Sequence, residues 1–215
     1  MKVLIASPSP RDIPEVQEAL NKIREDKLLV KYYPEKEAYS IIKRWFLGHK
    51  EYDYLCICPD DLVVTNKVFQ QLKNKVEETK LPVLAGICNL SWNELDRCSF
   101  CMNVSGFNFV DNETLPLIEH MAKDGVLQVG HEGFACSFIS RDVMQKVSFE
   151  GVNEDKSAHF DWSFSLECTR FNIPIHVYLD AKMIHLRDRL GKGVYENWGR
   201  GIKPPAIRMH YAETS

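Results

Sequence analysis

The first 90 residues alternate between short apolar runs and amphipathic stretches, and this alternation limits the fold more than any other feature. Apolar, β-prone runs predict strands at residues 2–6, 28–33, 52–58 and 82–87. The segments between them carry apolar residues at helical spacing, beginning near Asp12 (with Pro14 in the first turn), Ala38 and Val68. A β-α-β-α-β-α-β order with short polar connections predicts an α/β domain with a mostly parallel, Rossmann-like sheet and helices on both faces.

The second half of the chain continues with shorter elements. Its pattern predicts strands at 101–110, 126–129, 136–139, 175–179 and 183–186, and helices at 115–123, 141–147 and 161–171. Residues 187–215 are rich in glycine and proline, which predicts a loop-rich tail. We therefore expect a single domain over residues 1–186, divided into halves at 1–90 and 91–186 and followed by the tail.

Composition excludes several classes of protein. The 215 residues are 45% hydrophobic and 27% charged, as in soluble globular domains. The net charge of -3 argues against a broad nucleic-acid surface, so we expect no nucleic-acid partner. No apolar run approaches the roughly 20 residues of a membrane span, so we expect no integral membrane segment.

The N-terminal apolar run is too short for a signal peptide, which predicts a cytoplasmic protein. The seven cysteines agree with this compartment, because an odd number cannot pair completely within one chain. We interpret them as reduced structural thiols. Cys98 and Cys101 form a Cys-x-x-Cys, but no second pair at matching spacing completes a zinc site.

The strongest candidate site follows the third predicted strand. Open α/β sheets bind ligands beyond the carboxyl ends of their strands, which selects the loops at 7–11, 33–37 and 59–62. Asp60 and Asp61 lie in the last of these as strand-end acids that we expect to be exposed. Two adjacent carboxylates repel each other unless a positive charge is near, and Mg²⁺ or Mn²⁺ binds such oxygens. Pro-Asp-Asp is equally good turn chemistry, and the pair alone does not decide between the two interpretations.

Two later residues could complete such a site. His185 lies in an apolar strand-like run, where a histidine is usually a core residue but could supply imidazole to a cation held by the aspartates. Asp161 begins a predicted helix, either as its N-cap or as a general base facing the cleft. Glu154 and Asp155 compete for that second role.

Weaker candidates are a loop and the tail. Gly133, in the loop at 131–135, could let the backbone approach a ligand closely. The tail carries cations that could close over a diphosphate, although a solvated, charged tail is the better explanation for any one of them: Arg187, Arg189, Lys192 and Arg200.

These elements, in this order, resemble the A-type (GT-A) fold of nucleotide-sugar-dependent glycosyltransferases. Residues 3–8 are similar to its first nucleotide-binding element, and 54–64 (YLCICPDDLVV) to its Asp-x-Asp strand. Residues 81–89 are similar to the strand after it, 133–143 to its acceptor-side segment and 161–164 (DWSF) to its acidic helix start. The resemblance covers residues 2–186.

The resemblance implies a metal-dependent, hexosyltransferase-like enzyme that moves sugar from a nucleoside diphosphate sugar to a glycan, protein or lipid acceptor. Residues 1–90 would form the nucleotide-binding half and 91–186 the acceptor half. Mn²⁺ or Mg²⁺ would be held by Asp61 and His185, with Asp60 as a further ligand. Asp161 would be the base of an inverting reaction.

The nucleotide-binding residues implied by the resemblance are Ser7, Pro8, Arg11, Asp60 and Asp61.

The sequence departs from the family at one position and leaves alternatives open. Pro59 occupies the place of the first acid, so Asp60 falls in the middle of the motif and could contact ribose or metal-bound water instead. A non-catalytic nucleotide- or glycan-binding protein on a degenerate version of the fold is one alternative. A sugar-nucleotide nucleotidyltransferase is another, although the loop after the first strand has Arg11 but no glycine.

Overall fold

The computed structural model describes residues 1–9, 11–92, 95–105, 108–148, 160–186 and 206–212. The helices are α1 (Pro14–Asn21), α2 (Glu35–Gly48), α3 (Asn66–Thr79), α4 (Leu115–Glu119), α5 (Arg141–Lys146) and α6 (Phe160–Arg170). The first strands are β1 (Val3–Ser9), β2 (Asp26–Lys31), β3 (Tyr54–Ile57), β4 (Leu62–Val63), β5 (Val83–Trp92) and β6 (Leu95–Cys101). The later strands are β7 (Phe109–Asp111), β8 (Val126–Val129), β9 (His131–Glu132), β10 (Ser137–Ser140), β11 (Ile175–His185) and β12 (Ala206–His210).

A mixed sheet with a parallel core organises the described residues. Its main strand order is β12-β2-β1-β3-β10-β5-β11-β4. Strands β2, β1, β3, β5 and β11 share one direction, while β10 runs antiparallel between β3 and β5. The expected α/β class and parallel core are confirmed. The antiparallel insertion of β10 was not predicted, because the apolar pattern of a strand does not encode its direction.

Alternating residues of the central strands pack into a core on each face of the sheet. Leu4 and Ala6 of β1 join the core that contains α2, and Val3 and Ile5 join the core that contains α1 and α3. Each fully buried aliphatic side chain contributes about 1.5–3 kcal/mol, so the two apolar layers hold the sheet between the helices. Within the described residues, no helix combines the length and apolarity that a membrane crossing requires.

Two predictions about the strands were wrong. The loop expected at residues 7–11 is strand as far as Ser9. Strand β1 pairs with β3 only as far as Ala6, so Pro8 is paired with β2 alone. Because no strand pairs with Pro8 on its other side, the missing N–H of proline costs no hydrogen bond to β3. The strands expected at 175–179 and 183–186 form one strand, β11, which shifts register against β5 between Val177 and Lys182.

Part of the predicted tail also belongs to the sheet. Residues 206–210 form β12, which runs antiparallel to β2. The loop-rich prediction missed this strand because the glycines and prolines that precede it dominate the composition.

Arg141 joins the end of α2 to the start of α5. Its guanidinium donates hydrogen bonds to the carbonyl oxygens of Phe46 (3.0 Å), His49 (2.7 Å) and Tyr52 (2.9 Å). The group also lies over the Phe46 ring, at 4.3 Å from its centroid. A cation at these carbonyls complements the negative end of the α2 dipole.

We predict that Arg141→Ala lowers the free energy of unfolding by about 1.5–3 kcal/mol, because carbonyl groups lose a charged donor. Arg44→Ala is the control, since exposed Arg44 donates to the Ser40 carbonyl of its own helix, and its effect should stay within about 0.5 kcal/mol. Urea unfolding followed by circular dichroism measures both values. Equal effects of the two substitutions would contradict the role given to Arg141.

Candidate functional site

Arg11 joins the ends of β1 and β3. Its backbone N–H donates to Asp60 Oδ2 at 2.7 Å, and its Nε donates to Asp60 Oδ1 at 3.0 Å. Its Nη2 donates to Asp60 Oδ1 and forms an ion pair with Asp61 Oδ2 at 3.1 Å. The positive charge that two adjacent carboxylates require is therefore present in the chain itself.

Burial makes this charge compensation necessary. Arg11, Asp60 and Asp61 are only 8%, 2% and 8% exposed, so the expectation of exposed strand-end acids was wrong. The acids are buried because the loop at 59–62 returns immediately into β4, which pairs with β11. An ion pair in such a place must be well hydrogen-bonded to offset its desolvation.

The two acids have different electrostatic environments. Burial raises the pKa of Asp60 to about 6, although the hydrogen bonds and charge of Arg11 oppose the rise. Burial also acts to raise the pKa of Asp61, but the hydrogen bond from His185 and the charge of Arg11 outweigh it and lower the pKa to about 2. Asp61 is thus the acid that stays ionised throughout the neutral range.

His185 reaches Asp61 from the other end of the sequence. It is the last residue of β11 and pairs in register with Leu62 of β4. Its Nε2 lies 3.4 Å from Asp61 Oδ2, and the N–H of Leu186 donates to the Asp61 carbonyl at 2.8 Å. The sheet therefore brings together Arg11, Asp60, Asp61 and His185, all of which the sequence analysis singled out.

Ser7 and Pro8 are placed differently from the other candidates. Both are buried in β1, opposite Leu29 and Val30 of β2. The Ser7 hydroxyl is a buried polar group without a hydrogen-bond partner among the described residues. Ser7 and Pro8 therefore lie within the sheet, on the strand that precedes Arg11.

Asp161 lies in the second half of the chain, in the first turn of α6. Its Oδ1 accepts the N–H of the next residue, Trp162, at 2.7 Å. Its Oδ2 lies 3.7 Å from the position that a Cβ on Gly133 would occupy. The Gly133 N–H donates to the Ser99 carbonyl at 2.7 Å, and the Ser99 hydroxyl accepts from the N–H of Cys88 at 3.1 Å.

The hydrogen bonds of Ser99 connect the Gly133 loop beside Asp161 to the strands of the sheet. Cys88 pairs with Met183 of β11, two residues before His185. The remaining candidates lie outside the described residues: Glu154, Asp155, Arg187, Arg189, Lys192 and Arg200.

Glu132 is a buried acid that the sequence analysis did not select. It is 0% exposed, and the Ser137 hydroxyl donates to its Oε2 at 2.7 Å. Burial raises its pKa to about 8, and the negative charge of Asp161 adds to the rise. In the sequence, Glu132 stands between a predicted strand and Gly133. A glutamate in such a position is common in exposed loops, so the sequence gives little indication of its burial.

The donors at Asp61 and His185 fit a divalent cation. A carboxylate oxygen and an imidazole nitrogen 3.4 Å apart are ligand types that Mn²⁺ and related ions accept. Asp60 fits less well as a ligand, because both of its oxygens accept hydrogen bonds from Arg11.

Comparisons with known proteins identify the fold. No family model and no curated protein matches the chain. The crystal structure of A197 from STIV is 18% identical with a TM-score of 0.56, and the match covers 86% of this chain and 81% of that one. The S. aureus TarS 1–349 structure is 10% identical with a TM-score of 0.50, and the match covers 86% of this chain and 60% of that one.

A further solved structure, CMP:2-keto-3-deoxy-manno-octonic acid synthetase complexed with CTP, is 13% identical with a TM-score of 0.44, and the match covers 86% of this chain and 90% of that one. The first two likenesses show that the chain has the A-type nucleotide-diphospho-sugar transferase fold. This confirms the resemblance seen in the sequence.

We predict that Glu132→Gln flattens the pH dependence of stability. Because the folded-state pKa of Glu132 lies near 8 and its ordinary value is 4.5, its stabilising contribution is complete below about pH 4.5 and is lost as the pH rises through about 8. Urea unfolding at several values between about pH 5 and pH 8 measures this slope.

Glu113→Gln, at an exposed position, is the control and should keep the slope of the unmodified protein. An unchanged slope in Glu132→Gln would show that this carboxyl ionises normally in the fold.

Proposed function

We propose that the chain is a metal-dependent glycosyltransferase, hexosyltransferase-like, that moves a sugar from a nucleoside diphosphate sugar to an acceptor hydroxyl. One observation supports the proposal: Arg11, Asp61 and His185 meet at the strand ends of an A-type fold. Asp61 Oδ2 lies 3.1 Å from Arg11 Nη2 and 3.4 Å from His185 Nε2. Carboxyl ends of parallel strands are where open α/β sheets bind ligands.

The chain's two halves take different roles in this proposal. Residues 1–90 bind the nucleotide, with Ser7, Pro8 and Arg11 on β1 and the loop after it. Residues 91–186 receive a glycan, protein or lipid acceptor at the surface near Asp161.

Asp61 and His185 would hold Mn²⁺ or Mg²⁺ in this proposal. When bound, the cation would neutralise charge on the departing diphosphate. Arg11 adds a buried positive charge at the same strand end, where charge stabilisation is strong because water is excluded. Asp60 holds the guanidinium of Arg11 by bidentate hydrogen bonding, with Nε donating to Oδ2 and Nη2 to Oδ1, so its role is to position Arg11.

Asp161 is the proposed general base of an inverting transfer. It takes the proton of the acceptor hydroxyl as the oxygen attacks the anomeric carbon of the sugar. It lies in the first turn of α6, at the end of the helix where the helix dipole attracts negative charge.

A second candidate function is non-catalytic nucleotide or glycan binding on a degenerate fold. Pro59 in place of the first acid supports it, and so does the engagement of both Asp60 oxygens by Arg11. Calorimetry with UDP- and GDP-sugars, with and without Mn²⁺, distinguishes the two functions. Metal-dependent binding with slow release of free sugar supports the transferase, whereas metal-independent binding without turnover supports the binding protein.

The same panel, extended to a sugar phosphate with nucleoside triphosphates, tests the nucleotidyltransferase alternative. Release of pyrophosphate would favour that reaction over sugar transfer.

We predict that Asp61→Asn abolishes the Mn²⁺-dependent part of nucleoside diphosphate binding, because the neutral amide is a poor ligand for a hard cation. Asparagine keeps the size and one acceptor of the buried side chain, which limits damage to the Arg11 contact. Calorimetry with UDP and GDP, with and without Mn²⁺, measures the loss.

Asp53→Asn is the control. Asp53 is exposed and directly precedes the start of β3, at the other end of the strand from Asp61, so this variant should bind nucleotide and Mn²⁺ normally. Thermal unfolding verifies that both variants fold. Unchanged Mn²⁺ dependence in folded Asp61→Asn would remove this residue from the metal site.

We predict that Asp161→Asn leaves donor binding intact and slows sugar transfer to acceptor or water by roughly 10²–10⁴-fold, the usual contribution of a general base. Asp142→Asn is the matched control, an exposed acid in the first turn of α5. Donor turnover followed by chromatography gives the rates, and a full rate in Asp161→Asn would exclude it as the base.

A further inference from the structure

Three cysteine side chains meet in the core beneath the candidate site. The Sγ atoms of Cys56 and Cys58 are 3.8 Å apart, and that of Cys136 lies 3.5 Å from the first and 3.8 Å from the second. Among the described residues, this is the group of three whose ligand atoms lie close enough to hold one metal ion. All three thiols are buried and free of disulfide bonds.

Strand geometry explains why the thiols converge. Cys56 and Cys58 are two positions apart, so their side chains point to the same face of the sheet. Ser137 of β10 pairs with Ile57 of β3, which brings Cys136 next to that pair. Cys136 has a φ of 54°, a left-handed conformation that residues with a side chain rarely adopt. The chain therefore holds this thiol in place against its backbone preference.

The distances match those of a small thiolate-bound cation. Zinc–sulfur bonds of about 2.3 Å in tetrahedral geometry place the sulfur atoms about 3.8 Å apart, close to the observed separations. Soft thiolate ligands select Zn²⁺ and Cu⁺ over the hard cations expected at Asp61. The neighbouring side chains in this core, including Phe69 and Phe138, are apolar and exclude water.

We propose that Cys56, Cys58 and Cys136 form a three-thiolate site for a soft cation, Zn²⁺ or Cu⁺, separate from the candidate site at Asp61. Each thiol that becomes a ligand loses its proton to solvent as a metal–sulfur bond forms, and no oxidation state changes. The ion would tie β3 to β10 directly behind Asp60 and Asp61. It would therefore hold the strand end that presents these two acids.

X-ray absorption at the metal edge tests the proposal on the full, reduced protein loaded with Zn²⁺ or, separately, with Cu⁺. We expect one bound ion per chain with a shell of three sulfur atoms, at about 2.3 Å for Zn²⁺. A shell of nitrogen and oxygen only, as Asp61 and His185 would give, overturns the proposal. So does a failure to retain either ion, which would show three thiols packed as small apolar groups. Comparing the two loaded forms decides which ion the site prefers.

Variants add an independent readout through Co²⁺, whose thiolate complexes absorb in the near ultraviolet by sulfur-to-metal charge transfer. Cys58→Ala should lose this absorption, whereas Cys88→Ala, at a buried thiol outside the cluster, should keep it. If Cys58→Ala does not fold, the absorption edge of the unmodified protein still decides. Equal Co²⁺ spectra in the two variants, or a non-reduced mass that shows a disulfide within the cluster, would overturn the site.

Discussion

The buried contact of one arginine with two aspartates is the interaction on which the rest of this site depends. Asp60 and Asp61 follow a wholly buried strand, and their charges could not lie together in that position without Arg11. The contact fixes the ends of β1 and β3 relative to each other. His185, at the end of β11, joins them through its contact with Asp61. Because breaking a buried pair leaves an uncompensated charge, this constraint also fixes the loop geometry around it.

The same contact gives two neighbouring acids different properties. Asp60 directs its oxygens to Arg11, while Asp61 shares only one oxygen with it and lies beside His185. The two acids therefore differ in role: Asp60 positions the Arg11 guanidinium, whereas Asp61 has a low pKa and lies beside the imidazole of His185.

The sequence predicts much of this because its signals are local or additive. Apolar periodicity located the central strands and helices, and the rule that ligands bind at strand ends selected Asp60, Asp61 and Arg11 as candidates. The direction of β10 and the joining of two short strands into β11 depend on pairing between distant segments, which periodicity does not encode. Burial of Glu132 and convergence of Cys56, Cys58 and Cys136 likewise arise from packing across the sheet. Such features become visible only when the strand order is known.

The central claim is that Asp61 and His185 hold a divalent cation against a nucleoside diphosphate. A crystal soaked with Mn²⁺ and UDP or GDP, with diffraction recorded near the manganese edge, tests it most directly. The account predicts an anomalous peak bonded to a carboxylate oxygen of Asp61, to Nε2 of His185 and to the diphosphate, with Arg11 still on Asp60. A nucleotide bound without the ion, or an ion bonded to neither residue, would contradict it.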